Sequence, residues 1–322
     1  MRKIPAINDG LMFSGCMLLC AATAFIIMDV QASMWAAFST LYAFNLFNAA
    51  KEYKNYIYTA FWLAMIMVAV FIGDTLRLGT SFYIYLAVFS FIYYQLYGTD
   101  PVMDLTMKFM IVMSTIGTIL PDISKSLAFG FLIGSSVTLM VCYILSKKMH
   151  RHNIISGSLV EQNLFTLQKN IIPRSMTYAT GLLLALGIPH LLNFGHFYWT
   201  LITFVFILHP KSQSIIRITI QRVVGSLIAV LFLYFLFNTP MMPYIGLASI
   251  VIFAFLIPMS FHHGYTFTTF ITTSFILSVL EQVIYWRHPA YMLLFDRVLE
   301  TALGGAIAII TSIILRLFRN AK

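Results

Sequence analysis

The sequence predicts an all-α integral membrane protein, with about 12 transmembrane helices forming two parallel six-helix repeats. Three observations carry that expectation. First, 60 % of the residues are apolar and 10 % are charged, against ~25 % charged in a soluble domain. Second, the apolar residues fall into blocks of membrane-spanning length, and a span needs roughly 20 of them to cross ~30 Å of hydrocarbon. Twelve such spans consume about 240 residues at that length, which leaves no room for a soluble catalytic domain. Third, the Lys and Arg residues divide unequally between alternate loops. With Arg2 and Lys3 cytoplasmic, 16 of the 20 basic residues fall on the inner side. Only Arg77, Lys125, Arg287 and Arg297 fall outside. This is the positive-inside asymmetry of a multi-pass membrane protein with both termini cytoplasmic. It also explains the net charge of +9. The basic residues form no stripe with aromatic stacking partners, so nucleic acid is excluded.

In chain order, the first span is expected near 11–29. Phe13-Ser14-Gly15-Cys16 faintly resembles a lipoprotein cleavage site, but Ile4 to Gly10 is not an apolar h-region, so the span reads as uncleaved. The second, 33–50, opens on Met34-Trp35 and ends in the basic loop Lys51-Glu52-Tyr53-Lys54. Spans follow near 56–73, 81–98, 103–121 (with Lys108 just inside it) and 126–146, the last closing with Gly130 and Gly134. These make a first membrane repeat over 1–146. A cytoplasmic linker, 147–175, holds the one polar stretch of any length. Its middle, Ile154 to Leu167, is amphipathic, and reads either as a helix lying on the inner surface or as a solvated connector. The second repeat, 176–322, has spans near 176–193, 197–209, 219–237, 242–259, 264–281 and 296–317. It repeats the layout: Tyr198-Trp199 opens its second span, a basic loop from Lys211 to Arg222 follows, and Leu303-Gly304-Gly305 closes it. Spans 2 and 8 are short, which marks one of them as tilted, re-entrant or broken. Because six is even, both copies enter the membrane in one direction and are related by an axis along its normal.

Most small residues read as packing devices. Gly130 and Gly134 form a GxxxG pair, and Gly225 with Ala229 and Ala302 with Ala306 keep the same spacing, with Gly304 on the last span. Cys16, Cys20 and Cys142 read as buried thiols, since no partner set with metal-ligand spacing accompanies them. Ionisable groups within spans are costly and mark function. Arg297, Glu300 and Gly304 share one face of the last span at i, i+3 and i+7. The Arg and Glu either neutralise each other or exchange partners with an anion or a proton. Arg222 holds the parallel place in the ninth span, so topology puts Arg222 at the inner mouth and Arg297 at the outer one. Cations at both mouths favour an anionic solute; simple anchoring of Arg222 is the other reading. Glu281 reads as a solvated cap, and His209 and the pair His262-His263 as interfacial residues. Trp35 and Trp199 read as belt residues or as platforms for an aromatic solute. The Thr266, Thr269, Thr272 and Thr273 face lines a wet path or bonds back to its helix. No P-loop, metal cluster or nucleophile elbow is present, so neither cofactor nor metal nor enzyme activity is expected.

Tyr198-Trp199-Thr200-Leu201-Ile202-Thr203, Pro210, Gln221-Arg222-Val223-Val224-Gly225-Ser226 and Arg297-Val298-Leu299-Glu300-Thr301-Ala302-Leu303-Gly304 resemble motifs of the fusaric acid resistance proteins. The resemblance covers roughly 196–315. That family belongs with the aromatic acid exporters, and plant aluminium-activated malate channels are distant relatives. The resemblance implies a bacterial inner-membrane exporter of aromatic carboxylic acids or related toxic anions, driven by the proton gradient; a passive organic-anion channel is the alternative. On this reading Arg222, Arg297 and Trp199 bind the solute and Glu300 carries the proton. Partners are a small organic anion and the lipid bilayer, with a homo-oligomer or a periplasmic adaptor also possible. The first half departs from the motifs: Phe61 stands near where Arg222 would pair, and Gly130 near where Glu300 would. The second half is therefore expected to supply the charges.

Overall fold

A computed structural model of the chain describes residues 5–50, 56–120, 125–147, 169–210, 214–239, 242–284 and 291–320. Among the described residues the structure is entirely helical. It comprises α1 (Pro5–Ile27), α2 (Val30–Ala50), α3 (Tyr56–Leu76), α4 (Thr80–Leu96), α5 (Pro101–Gly117) and α6 (Lys125–Lys147). After a single 3-10 turn, Lys169–Ile171, come α7 (Ile172–Leu191), α8 (Tyr198–Ile207), α9 (Ile215–Phe237), α10 (Met242–Ser260), α11 (Tyr265–Ile284) and α12 (Tyr291–Asn320). Most of the expected linker, and with it Ile154 to Leu167, lies outside the described residues.

Helix is the form these stretches must take in lipid, because it satisfies every backbone donor and acceptor within the segment. Among the described residues, five segments are long and apolar enough to cross a membrane: Ile7–Ile27, Ile57–Leu76, Lys125–Leu145, Ile215–Phe237 and Leu294–Phe318. Their outward faces are apolar too, with Ile26, Met140, Phe235 and Ile310 all exposed. Local chemistry sets the ends. Asp29 precedes α2 and its Oδ1 accepts from the Ala32 N–H at 2.7 Å, a side-chain N-cap. Asp100 caps α5 through the Val102 N–H at 2.8 Å, with Pro101 in the first turn where its missing donor costs nothing.

The two short expected spans separate clearly. α2 extends to 21 residues. α8 has only 10, about 15 Å at 1.5 Å per residue, and stops before Pro210, which has no N–H to continue the ladder and disfavours helix at the residue before it.

Helix pairing follows a pattern. α2 packs on α6, and α8 on α12; α3 packs on α5, and α9 on α11; α1 packs on α6, and α7 on α12. Between the halves, α4 packs on α7 and α10 on α1, while α5 meets α8 and α11 meets α2. The last two contacts bring α2, α5, α8 and α11 around one central space.

Candidate functional site

That space is a cavity of about 760 Å³, walled by α2, α5, α8 and α11, with Arg222 from α9 and Arg297 from α12. Its walls correspond residue by residue. On α2 the lining residues include Met34, Trp35, Phe38 and Tyr42; on α8 they are Tyr198, Trp199, Ile202 and Phe206, each 164 positions later (34 + 164 = 198). On α5 they include Leu105, Phe109, Val112 and Ile116, with Leu120 just beyond its end; on α11, Tyr265, Thr269, Thr272, Ile276 and Leu280 stand 160 positions later (105 + 160 = 265).

Both guanidinium groups face this one cavity. Arg297 is 5 % exposed and its guanidinium lies over the Trp199 ring, 5.0 Å from the centroid. Arg222 lies over the Phe206 ring at 5.5 Å and donates from Nη1 to the Tyr265 hydroxyl at 2.9 Å. Its Nε is buried without an acceptor. Trp199 and Phe206 are seven residues apart on α8, which separates the two cation platforms by about 10 Å along the helix. Arg222 and Arg297 therefore line one chamber at different depths along α8. Short α8 lets both reach a single chamber.

Nor do Arg297 and Glu300 form an ion pair. Glu300 is fully buried, and its Oε1 accepts from the His196 backbone N–H at 3.2 Å, holding the chain just ahead of α8. Its Oε2 has no hydrogen-bond partner. His196 completes the cluster: its Nδ1 lies 3.0 Å from Asp296 Oδ2, and its ring stacks on Trp199 at 5.0 Å and 20°. One α12 segment thus touches the start of α8 through Asp296, Arg297 and Glu300. Neither Arg222 nor Arg297 has a carboxylate partner among the described residues.

Close helix contacts make this possible. A Cβ at Gly304 would stand 2.5 Å from the Thr200 carbonyl oxygen and 2.9 Å from Thr203 Cβ, so α12 presses directly on α8. A Cβ at Gly225 would stand 2.6 Å from the Thr266 carbonyl oxygen, one turn beyond Arg222, so α9 presses on α11. In the first half, Gly134 lies against Ala36 and Ser39, and Gly130 against Ala32 and Trp35. The contacts correspond as well: 36 + 164 = 200 and 39 + 164 = 203, so Gly134 holds the place of Gly304.

Other expectations change. Trp35 and Trp199 are 8 % and 3 % exposed and line the cavity instead of forming a belt. Thr269, Thr272 and Thr273 line it together with Thr268, but Thr266 does not. Thr272 and Thr268 donate back to backbone carbonyls of Thr268 and Ser260. Glu281 is fully buried, not a solvated cap. His209 stacks on Tyr97 at 5.6 Å. Phe61 is largely on the surface of α3. Cys20 packs against α6, its Sγ 3.7 Å from both Thr138 Oγ1 and the Gly134 carbonyl oxygen. No group of three His, Cys, Asp or Glu residues is placed to hold a metal among the described residues. Sequence reasoning missed His196 and Tyr265. The one available signal was position, since His196 sits three residues before Trp199, one helical turn away.

Long apolar helices around a central chamber define a multi-pass helical membrane protein. Residues 183–311 match the model of the fusaric acid resistance protein-like family. The match runs from within α7 into α12 and so includes Trp199, Arg222, Arg297 and Glu300; it points to transporter-type function for this region. No curated protein and no solved structure matches the chain.

Proposed function

We propose that the protein is a secondary exporter of organic anions, aromatic carboxylic acids foremost. The observation that carries this reading is the two guanidinium groups, Arg297 buried and Arg222 half-buried, on aromatic platforms in one chamber, with no carboxylate within ion-pair distance among the described residues. A cation kept out of water without a counter-charge is costly. An anionic solute entering the chamber offsets that cost, and the aromatic walls hold its ring. Arg222, Arg297 and Trp199 are the solute-binding residues on this reading, and Glu300 is the proton-coupling group. Glu300 suits that role because it links the backbone ahead of α8 to the helix that bears Arg297. Protonation there removes a charged acceptor from His196, so proton binding and the position of Trp199 are mechanically connected.

The same reading places twelve spans in a bacterial inner membrane, with both termini cytoplasmic and two parallel repeats over 1–146 and 176–322. Support for the repeats comes from helix pairings that recur with a shift of six helices. Further support is the constant offsets of the cavity-lining residues. α8, at 10 residues, is too short to span, and its fit to this layout is as a half-helix whose side lines the chamber. An organic-anion channel is the competing reading, favoured by the chamber's aromatic and aliphatic lining, which suits passive flow as well as gated export.

The test is uptake of labelled 4-hydroxybenzoate into inverted membrane vesicles, with and without an imposed pH gradient. Accumulation is expected only with the gradient, and is expected to fall to the level of vesicles lacking the protein in Arg222→Ala and Arg297→Ala. Glu300→Gln keeps a carbonyl acceptor for His196, so it is expected to fold but not to accumulate. Equilibration indifferent to the gradient means a channel. Full activity in Glu300→Gln removes Glu300 from the mechanism.

A further inference from the structure

We propose that the chamber seats a single carboxylate at its Arg222 end, and that Phe109 and Val112 on the facing wall make it select anions with one charged head and an apolar body. This rests on the organic-anion reading above and specifies the solute it takes.

The donors converge at one end. Arg222 gives Nη1 to the Tyr265 oxygen; the phenol oxygen accepts that bond and keeps its own proton to donate. Gly225, one turn after Arg222, brings α9 so close to α11 that its Cβ would lie 2.9 Å from Thr269 Cβ. Thr269 is 3 % exposed and faces the chamber. Its neighbours Thr268 and Thr272 spend their protons on backbone carbonyls, whereas the Thr269 hydroxyl makes no such bond. A guanidinium, a phenol and a threonine hydroxyl thus supply the donors a carboxylate requires.

The facing wall offers none. At the registers of Tyr265, Thr269 and Thr272 stand Leu105, Phe109 and Val112. Phe109 packs against Tyr42 at 4.7 Å and Phe206 at 6.2 Å. The Tyr42 phenol is already committed, donating to Met113 Sδ at 3.2 Å. A second carboxylate turned toward α5 would lose its water and find no donor on that helix; the Asn45 amide of α2, which also lines the chamber, already gives one N–H to the Leu41 carbonyl at 2.8 Å. Arg297 lies about 10 Å further along α8, beyond the reach of a four-carbon diacid seated at Arg222. A flat apolar body, by contrast, buries area against Phe109 and Val112.

The test uses the full chain in lipid nanodiscs and equilibrium dialysis of radiolabelled benzoate, displaced by unlabelled 1-naphthoate or succinate. Naphthoate is expected to displace at concentrations several-fold below benzoate, because it buries more apolar area. Succinate is expected to need at least about tenfold more than benzoate, the cost of one unmatched polar group. Phe109→Thr, which gives α5 the residue type of α11, is expected to narrow the succinate-to-benzoate ratio to about threefold. Thr269→Val is expected to weaken benzoate and naphthoate together by about tenfold, with their ratio unchanged. Val112→Thr repeats the test at the next register should Phe109→Thr not fold. Succinate displacing as well as benzoate from the unaltered protein overturns the proposal, as does an unchanged ratio in the folded α5 variants. Dialysis involves no gradient, so the outcomes separate. Succinate bound in preference to benzoate defeats this inference and leaves organic-anion transport standing. Binding of neither acid defeats the organic-anion reading itself. One-headed selectivity without gradient-driven accumulation in vesicles defeats proton-coupled export alone.

Discussion

The contact of α2 with α6 and the contact of α8 with α12 use the same registers and opposite chemistry. In the first, Gly130 and Gly134 lay one helix directly on Ala32, Ala36 and Ser39. In the second, Gly304 makes the close approach, but the place of Gly130 (130 + 170 = 300) belongs to Glu300 and that of Leu127 (127 + 170 = 297) to Arg297. The N–H groups at matched registers, Ala32 and His196, are both held by carboxylates, from different sources. Ala32 is held by Asp29 of its own loop, which Ser126 of α6 supports at 2.5 Å. His196 is held by Glu300 of the partner helix. One frame is thus packed dry in one half and charged in the other. Since the dry version packs well, charge is not needed for folding there, and its presence in α12 is best explained by solute and proton handling.

This contrast can be broken experimentally. The largest expected effect is in Arg297→Leu, which installs the residue type found at Leu127. Transport is expected to be lost while thermal stability holds or rises, because an apolar side chain removes the desolvation cost of a buried cation that has no carboxylate within ion-pair distance. A lower melting temperature in that variant would mean that Arg297 is structural. Next comes Gly134→Ala, whose Cβ would lie 2.9 Å from Ala36 Cα and closer still to Ser39. It is expected to lower stability by about 1–3 kcal/mol through overpacking, while Gly15→Ala, with no atom within 4 Å, serves as its silent control in the same melts. Trp199→Leu and Trp35→Leu then compare the two platforms. Loss of the cation–π contact between Arg297 and Trp199, about 1–2 kcal/mol when desolvated, is expected to lower the melting temperature more in Trp199→Leu than in Trp35→Leu, where no guanidinium stacks. Equal losses would show that both act as plain apolar wall. The smallest effect is expected in Asp29→Ala, a lost N-cap costing about 1 kcal/mol with transport retained. A transport defect there would mean that α2 moves as α8 is proposed to.

The helical class, the position of most elements and the packing glycines were legible from sequence, because they depend on local hydropathy and residue size. Span limits fell within about six residues of the helices, close at 126–146 against Lys125–Lys147 and loosest at 11–29 against Pro5–Ile27. The candidate charges were legible too, since an Arg or Glu within an apolar block stands out in any reading. Their partners were not. Arg297 and Glu300 at i, i+3 suggest a pair along one helix, yet α8 packs so closely that Trp199 and the His196 N–H take them instead. Arg222 and Arg297 lie 75 positions apart in the chain (297 − 222), and hydropathy placed them at opposite mouths. Only the crossing of α9, α11 and α12 around a ten-residue α8 brings them into one chamber. The contrast between Phe109 and Thr269 was likewise invisible, because two residues 160 positions apart become comparable only once helices have been placed around a common space. Hydropathy acts residue by residue and sets which segments enter the membrane. Charge pairing, donor supply and cavity shape depend on which faces meet, and that is set by helix packing alone.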